Sequence, residues 1–140
     1  MKNRGIAHVV QGNIFEYQGE RFDTLLFLMN GIGITGTVDG FRKFLEQARR
    51  LLNPDGQLLF DTSDITYLYE DTAKPEDSYY GEVSYQYEYK GEKGEWFNWV
   101  YLDPALLKKI AKEMGWECHL LFDDGQDQYL AEMRIAAPAR

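Results

Sequence analysis

The sequence predicts an α/β fold built on a mixed sheet, with parallel central strands, a closing antiparallel hairpin and an added aromatic-rich hairpin. Three stretches carry that prediction. Phe22 to Asp64 reads as a complete strand, helix, strand unit. Trp116 to Phe122 and Gln128 to Ile135, joined by Asp123-Asp124-Gly125, read as two paired strands. Between them, residues 79–102 switch to two-residue alternation, the signature of a half-exposed hairpin.

In the first unit, Thr24 to Met29 is an unbroken apolar run. Without polar alternation it suits a parallel strand covered on both faces. Asn30-Gly31-Ile32-Gly33-Ile34-Thr35-Gly36 ends the run at the strand's carboxyl end, which is where open α/β sheets bind their ligands. Asp39 is placed to cap the next helix. Its apolar residues Phe41, Phe44, Leu45, Ala48, Leu51 and Leu52 keep helical spacing, and Arg49 and Arg50 complement the dipole at its end. Asn53-Pro54-Asp55-Gly56 is expected to stop the helix and turn the chain into a second strand, Gln57 to Phe60. The crossover is long enough to hold a helix, so the two strands should be parallel.

Ahead of this unit, Ala7 to Val10 reads as a strand that runs into a turn at Gln11-Gly12-Asn13, followed by Ile14 and Phe15. After it, Asp61-Thr62-Ser63-Asp64 and Tyr67 form a second candidate site edge before the polar loop Glu70 to Ser78. Val83, Tyr85, Tyr87 and Tyr89 then alternate with polar residues, and Gly91 to Gly94 is the expected turn into Glu95 to Leu102. The aromatic residues there suit either a ligand platform or simple strand packing. Asp103-Pro104 is a cap and first helical position for an amphipathic helix ending at Gly115.

Composition bounds the function. The 140 residues carry a formal net charge of −8, which disfavours nucleic acid and anionic membrane surfaces and leaves a small molecule as the expected ligand. No apolar run reaches transmembrane length and the start lacks a signal-peptide core, so the expected compartment is cytoplasmic. The single cysteine, Cys118, reads as a packing residue. His8 and His119 have no metal-ligand spacing around them and read as structural, so no metal is expected. With no repeat or composition shift, residues 1–140 form one domain, with residues 79–102 as an inserted hairpin.

The order of these elements resembles the second half of a class I S-adenosylmethionine-dependent methyltransferase. The resemblance rests on Phe22-Asp23 opening its strand, Leu28-Met29-Asn30-Gly31 closing it, and Leu51-Leu52-Asn53-Pro54-Asp55-Gly56-Gln57-Leu58-Leu59-Phe60, which is similar to that family's helix, turn and next strand. It implies a partial Rossmann-like methyltransferase fold, with S-adenosylmethionine as cofactor and a small-molecule methyl acceptor. Neither the family's first-strand glycine loop nor its ribose-binding acid is found in the sequence, so the domain reads as truncated at its front and as inactive alone. The alternative is a non-catalytic remnant that dimerises or binds a ligand.

Residue by residue, the resemblance implies that Asn13 and Ile14 meet the adenine, although Asn13 equally suits a plain turn. Met29, Asn30 and Gly31 correspond to the segment lining the methionine part and the transferred methyl. Asp61, Asp64, Tyr67, Tyr85 and Tyr87 are the candidates for orienting the acceptor, with Asp64 equally able to serve only its own loop. Methyl transfer asks mainly for in-line placement in a dry site, so no catalytic triad is expected. Loss of the neighbouring first strand would leave Thr24 to Met29 with an unpaired edge. The expected remedies are pairing with Ala7 to Val10 or, preferred, a homodimer.

Overall fold

The computed structural model of the chain describes residues 11–69 and 79–136. The expected strand Ala7 to Val10, His8 and the loop Glu70 to Ser78 lie outside the described residues. A four-stranded sheet runs in the order β1-β2-β8-β7, where β1 is Phe22–Phe27, β2 is Leu52–Ser63, β7 is Trp116–Asp123 and β8 is Gln128–Ile135. β1 and β2 are parallel, and β2, β8 and β7 are successively antiparallel, which is the mixed sheet expected.

Helices α1 (Val38–Leu51) and α2 (Pro104–Met114) supply one side of the core. The rung Leu25, Leu58, Met133, Cys118 and the rung Phe27, Phe60, Ala131, Leu120 point toward them, in one cluster with Phe41, Phe44, Leu45, Leu107 and Ile110. Cys118 is therefore the packing residue expected, and burial pushes its thiol up, with Lys108 opposing that shift. The next rung, Leu26, Leu59, Glu132 and His119, faces away, and Leu26 is 57% exposed. The expectation of a first strand covered on both faces is thus corrected: among the described residues its second face is bare. An apolar run reports what a strand is built to meet, and here both described α-helices lie on the same side.

Helix α1 begins two residues earlier than its acidic residue suggested. Thr37 is the cap, its hydroxyl accepting from the Gly40 N–H at 2.9 Å, and Asp39 stands inside the first turn. The Asn53–Gly56 segment also differs from expectation. It belongs to β2 as an irregularity in the register with β1, which pairs Phe22 with Leu52 and Thr24 with Gln57. The strand continues past Phe60 to Ser63 because β8 supplies partners for Asp61, Thr62 and Ser63. Arg49 donates to the carbonyls of Met114 and Gly115 and lies over the Trp116 ring, while Arg42 pairs with Glu113 at 2.8 Å, so the two helices are tied at their ends.

The hairpin of residues 79–102 forms sheets of its own. β3 (Glu82–Tyr85) pairs with β6 (Phe97–Val100), and the short β4 (Glu88–Tyr89) with β5 (Glu92–Lys93). The reversal falls at Lys90 and Gly91, with φ of 50° and 81°, rather than over Gly91 to Gly94. Two consecutive left-handed residues make the hairpin turn whose twist matches paired strands. Asp103 caps α2 by accepting from the Leu106 N–H at 3.1 Å, with Pro104 in the first turn and Gly115 at the C-cap, as the sequence indicated.

Candidate functional site

The site is built at the carboxyl end of β1. Met29 and Asn30 both take left-handed backbone angles, φ 59° and 58°, and the Gly31 N–H donates to the Leu28 carbonyl at 3.0 Å, closing a tight turn. Such angles are costly for a residue with a Cβ, so the turn must be held from outside. Three side chains hold Asn30. Asp61 Oδ1 accepts from its N–H at 3.0 Å, Ser63 Oγ donates to its Oδ1 at 3.1 Å, and the Trp99 indole N–H donates to its carbonyl at 3.0 Å. The turn thereby presents Met29 outward, 87% exposed.

Met29 and Asn30 meet the hairpin in a cavity of about 400 Å³, whose other walls are Tyr85, Gln86, Tyr87, Phe97, Trp99 and Tyr101. Register explains the gathering. Tyr85 lies opposite Phe97, and two-residue periodicity brings Trp99 and Tyr101 to the same side. The Phe97 ring sits 5.9 Å from Tyr85 and 5.2 Å from Tyr87, with Trp99 at 84° to it. The Tyr85 and Tyr101 hydroxyls are 3.1 Å apart. Burial, then the hydrogen bond and nearness of Tyr85, push the Tyr101 hydroxyl well above the usual tyrosine range, so it stays protonated.

The other expected site residues are placed differently. Both oxygens of Asp61 are engaged by the protein, Oδ1 by Asn30 and Oδ2 by Gln128 Nε2 at 2.7 Å, so this carboxylate positions the turn. Asp64 accepts from the Thr66 N–H and hydroxyl and from the Tyr80 hydroxyl, which shapes the turn Ile65–Tyr69. With Tyr67 it lines a neighbouring cavity of about 350 Å³ that also holds Asp127. Asn13 and Ile14 line a third cleft, of about 320 Å³, with Tyr17, Phe22, Leu25 and Leu51. Asn13 Oδ1 accepts from the Phe15 N–H at 2.9 Å, closing its own turn. Gln47 anchors that turn through the carbonyls of Ile14 and Tyr17.

Sequence reasoning counted the hairpin aromatics as a possible platform and placed Ser63 on a site edge, but it did not single out Trp99, Phe97, Tyr101 or Ser63 as site residues. The aromatic three were legible as alternate residues of the second hairpin strand. The bond from Ser63 to Asn30 carried no signal, because only the pairing of β2 beyond Phe60 brings the two together.

No family model matches the sequence and no curated protein matches it. Solved structures do. A S-adenosylmethionine-dependent methyltransferase from Bacteroides fragilis, in complex with S-adenosyl-L-homocysteine, is 35% identical, with a TM-score of 0.85 over 98% of this chain and 58% of that one. The chain carries part of the class I S-adenosylmethionine-dependent methyltransferase fold. Two more distant structures share that fold: DhpI with S-adenosylhomocysteine, 19% identical with a TM-score of 0.63 over 92% of this chain and 55% of that one, and the CcbJ methyltransferase from Streptomyces caelestis, 18% identical with a TM-score of 0.61 over 91% and 63%. The chain thus spans less than two thirds of the length of each of these methyltransferases.

S-adenosylmethionine is the cofactor of this family. The Met29-Asn30 turn offers an exposed thioether side chain and a cavity at a strand's carboxyl end, while Asn13 lines a separate cleft, its Oδ1 accepting from Phe15 as an amide oxygen able to accept a second bond.

Proposed function

We propose that this chain is the acceptor-side part of a methyltransferase that transfers the methyl group of S-adenosylmethionine to a small molecule. The observation that carries the reading is the clasped Met29-Asn30 turn opening into the aromatic cavity. In this reading Met29, Asn30 and Gly31 lie along the methionine part of the cofactor, and Tyr85, Tyr87 and their aromatic neighbours hold the acceptor. Shielding a reacting pair from water and aligning it is what methyl transfer requires of a protein. Asp61 and Asp64 act through the turns they fix and do not touch the acceptor.

Alone, the 140 residues bind S-adenosylmethionine or S-adenosylhomocysteine weakly or not at all, because they include no glycine loop for the cofactor and no acid for its ribose. Calorimetric titration of both compounds into the chain tests this. Binding as tight as that of an undivided methyltransferase would overturn it.

A second reading is favoured by one observation. Among the described residues β1 is an edge strand, and its outward Leu26 is 57% exposed. Unpaired edges recruit strands, and two copies pairing their β1 edges would satisfy the open backbone row and bring the two Leu26 side chains close to the seam. Sedimentation at micromolar concentration is expected to give a dimer that Leu26→Glu weakens. A monomer at every concentration would remove the homodimer from consideration.

A further inference from the structure

We propose that the aromatic cavity beside Met29 and Asn30 recognises a cationic ammonium group on its ligand. That the ligand is the methyl acceptor rests on the function proposed above; that the group is cationic rests on the cavity itself.

Tyr85, Tyr87, Phe97, Trp99 and Tyr101 contribute five rings, and among the described residues no Lys, Arg or His lines the cavity. Its hydrogen-bonding groups are largely spent inside the protein. The Trp99 N–H goes to the Asn30 carbonyl, the Gln86 amide donates to the Gly94 carbonyl at 3.0 Å, and the Tyr85 and Tyr101 hydroxyls pair with each other. What remains for a ligand is mostly ring surface, with the Tyr87 hydroxyl and the O–H that the Tyr85–Tyr101 pair does not use. Phe97 lies tilted between the two tyrosines while Trp99 stands nearly perpendicular to it, so the rings form a corner. Ring faces carry partial negative charge and attract cations, most strongly where several faces converge and water is partly excluded.

Charge decides between a cationic and a neutral apolar group. A second cavity is lined by Asp64, Asp127 and Tyr67 and, among the described residues, by no basic side chain, and Tyr67 is near enough to Tyr101 to act on its hydroxyl. The whole chain carries −8, so the surrounding field also favours a positive ligand. Among the described residues, an anionic ligand would meet acid and ring faces with no compensating base.

The test compares choline with 3,3-dimethylbutan-1-ol, its uncharged isostere, on the intact 140-residue chain, following the Trp99 indole N–H resonance by NMR. Choline is expected to bind saturably, about tenfold tighter than the isostere, because a partly desolvated cation on several faces gains on that order. Tyr87→Leu keeps apolar bulk at an exposed position and is expected to remove most of the preference. Equal binding of the two compounds, or no movement of Trp99, overturns the proposal whatever the chain does with S-adenosylmethionine. Displacement of choline by S-adenosylmethionine but not by S-adenosylhomocysteine, which keeps the α-ammonium and lacks only the sulfonium, would instead give the rings to the cofactor's sulfonium and overturn the ammonium assignment. A choline preference without any methyl transfer in a protein that also carries the cofactor loop would leave the cation site standing and remove the methyltransferase reading.

Discussion

The indole of Trp99 occupies the space where Gly33 has no side chain: a Cβ built on Gly33 would lie 2.0 Å from Trp99 Nε1. That absence lets the hairpin dock on the turn after β1 and lets Trp99 donate to the Asn30 carbonyl at 3.0 Å. Gly33→Ala is expected to expel the ring, break that bond and cost about 2–4 kcal/mol through overpacking and a lost hydrogen bond. Denaturant unfolding reads the loss and tryptophan emission reads the displacement. The milder Trp99→Phe should cost about 1 kcal/mol. An alanine variant of unchanged stability and emission would mean that this contact does not fasten the hairpin.

Met29 illustrates strain at the site. At φ 59° a methionine gains nothing that glycine lacks in backbone terms, and its side chain is 87% exposed. Met29→Gly is expected to leave stability unchanged or raise it by about 1 kcal/mol, the left-handed cost relieved and partly offset by glycine's greater freedom when unfolded. A marked fall in melting temperature would show that the Met29 side chain supports the fold and is not merely presented to a ligand.

Asp61 is expected to behave as a positioning residue. Asp61→Ala strips acceptors from the Asn30 N–H and from Gln128, at a cost of about 1–3 kcal/mol. Asp61→Asn should cost less, since one carbonyl oxygen still accepts from Asn30 and the Gln128 amide can turn to meet the new NH₂. Urea unfolding and hydrogen exchange at the Asn30 amide distinguish the two. Equal losses in both variants would show that charge, not acceptance, is what the turn needs.

Four tyrosines give the fold a dependence on alkaline pH. Burial, then the bond to Asp103, lifts Tyr79 above the usual range; burial also lifts Tyr129 and Tyr101, and pushes Tyr80 up to about 12. The folded chain therefore keeps these protons after the unfolded chain has begun to lose them near pH 10. Stability contributed this way is complete below about pH 10 and falls as the pH rises through about 12 and beyond. Unfolding midpoints measured from pH 8 to 12 should be flat and then decline, with tyrosinate absorbance appearing together with unfolding. A flat profile throughout would contradict the raised values.

Much of the architecture lies in local sequence chemistry. The apolar run ending at Asn30, the helical spacing from Phe41 to Leu51, the Asp103-Pro104 start and the alternation around Tyr85 each dictate an element, because periodicity and capping are properties of neighbouring residues. The candidate site was legible at Met29, Asn30, Tyr85 and Tyr87, which the cavity unites. What only the tertiary structure decided are relationships between segments far apart in the chain. Asp61 becomes a clasp on Asn30 because parallel pairing brings the ends of β1 and β2 together. Leu26 is bare because both described α-helices pack on the opposite face. Trp99 enters the site because Gly33, 66 positions earlier, leaves room for an indole. No local pattern encodes such distances, since the side chains that meet are chosen by how whole elements dock.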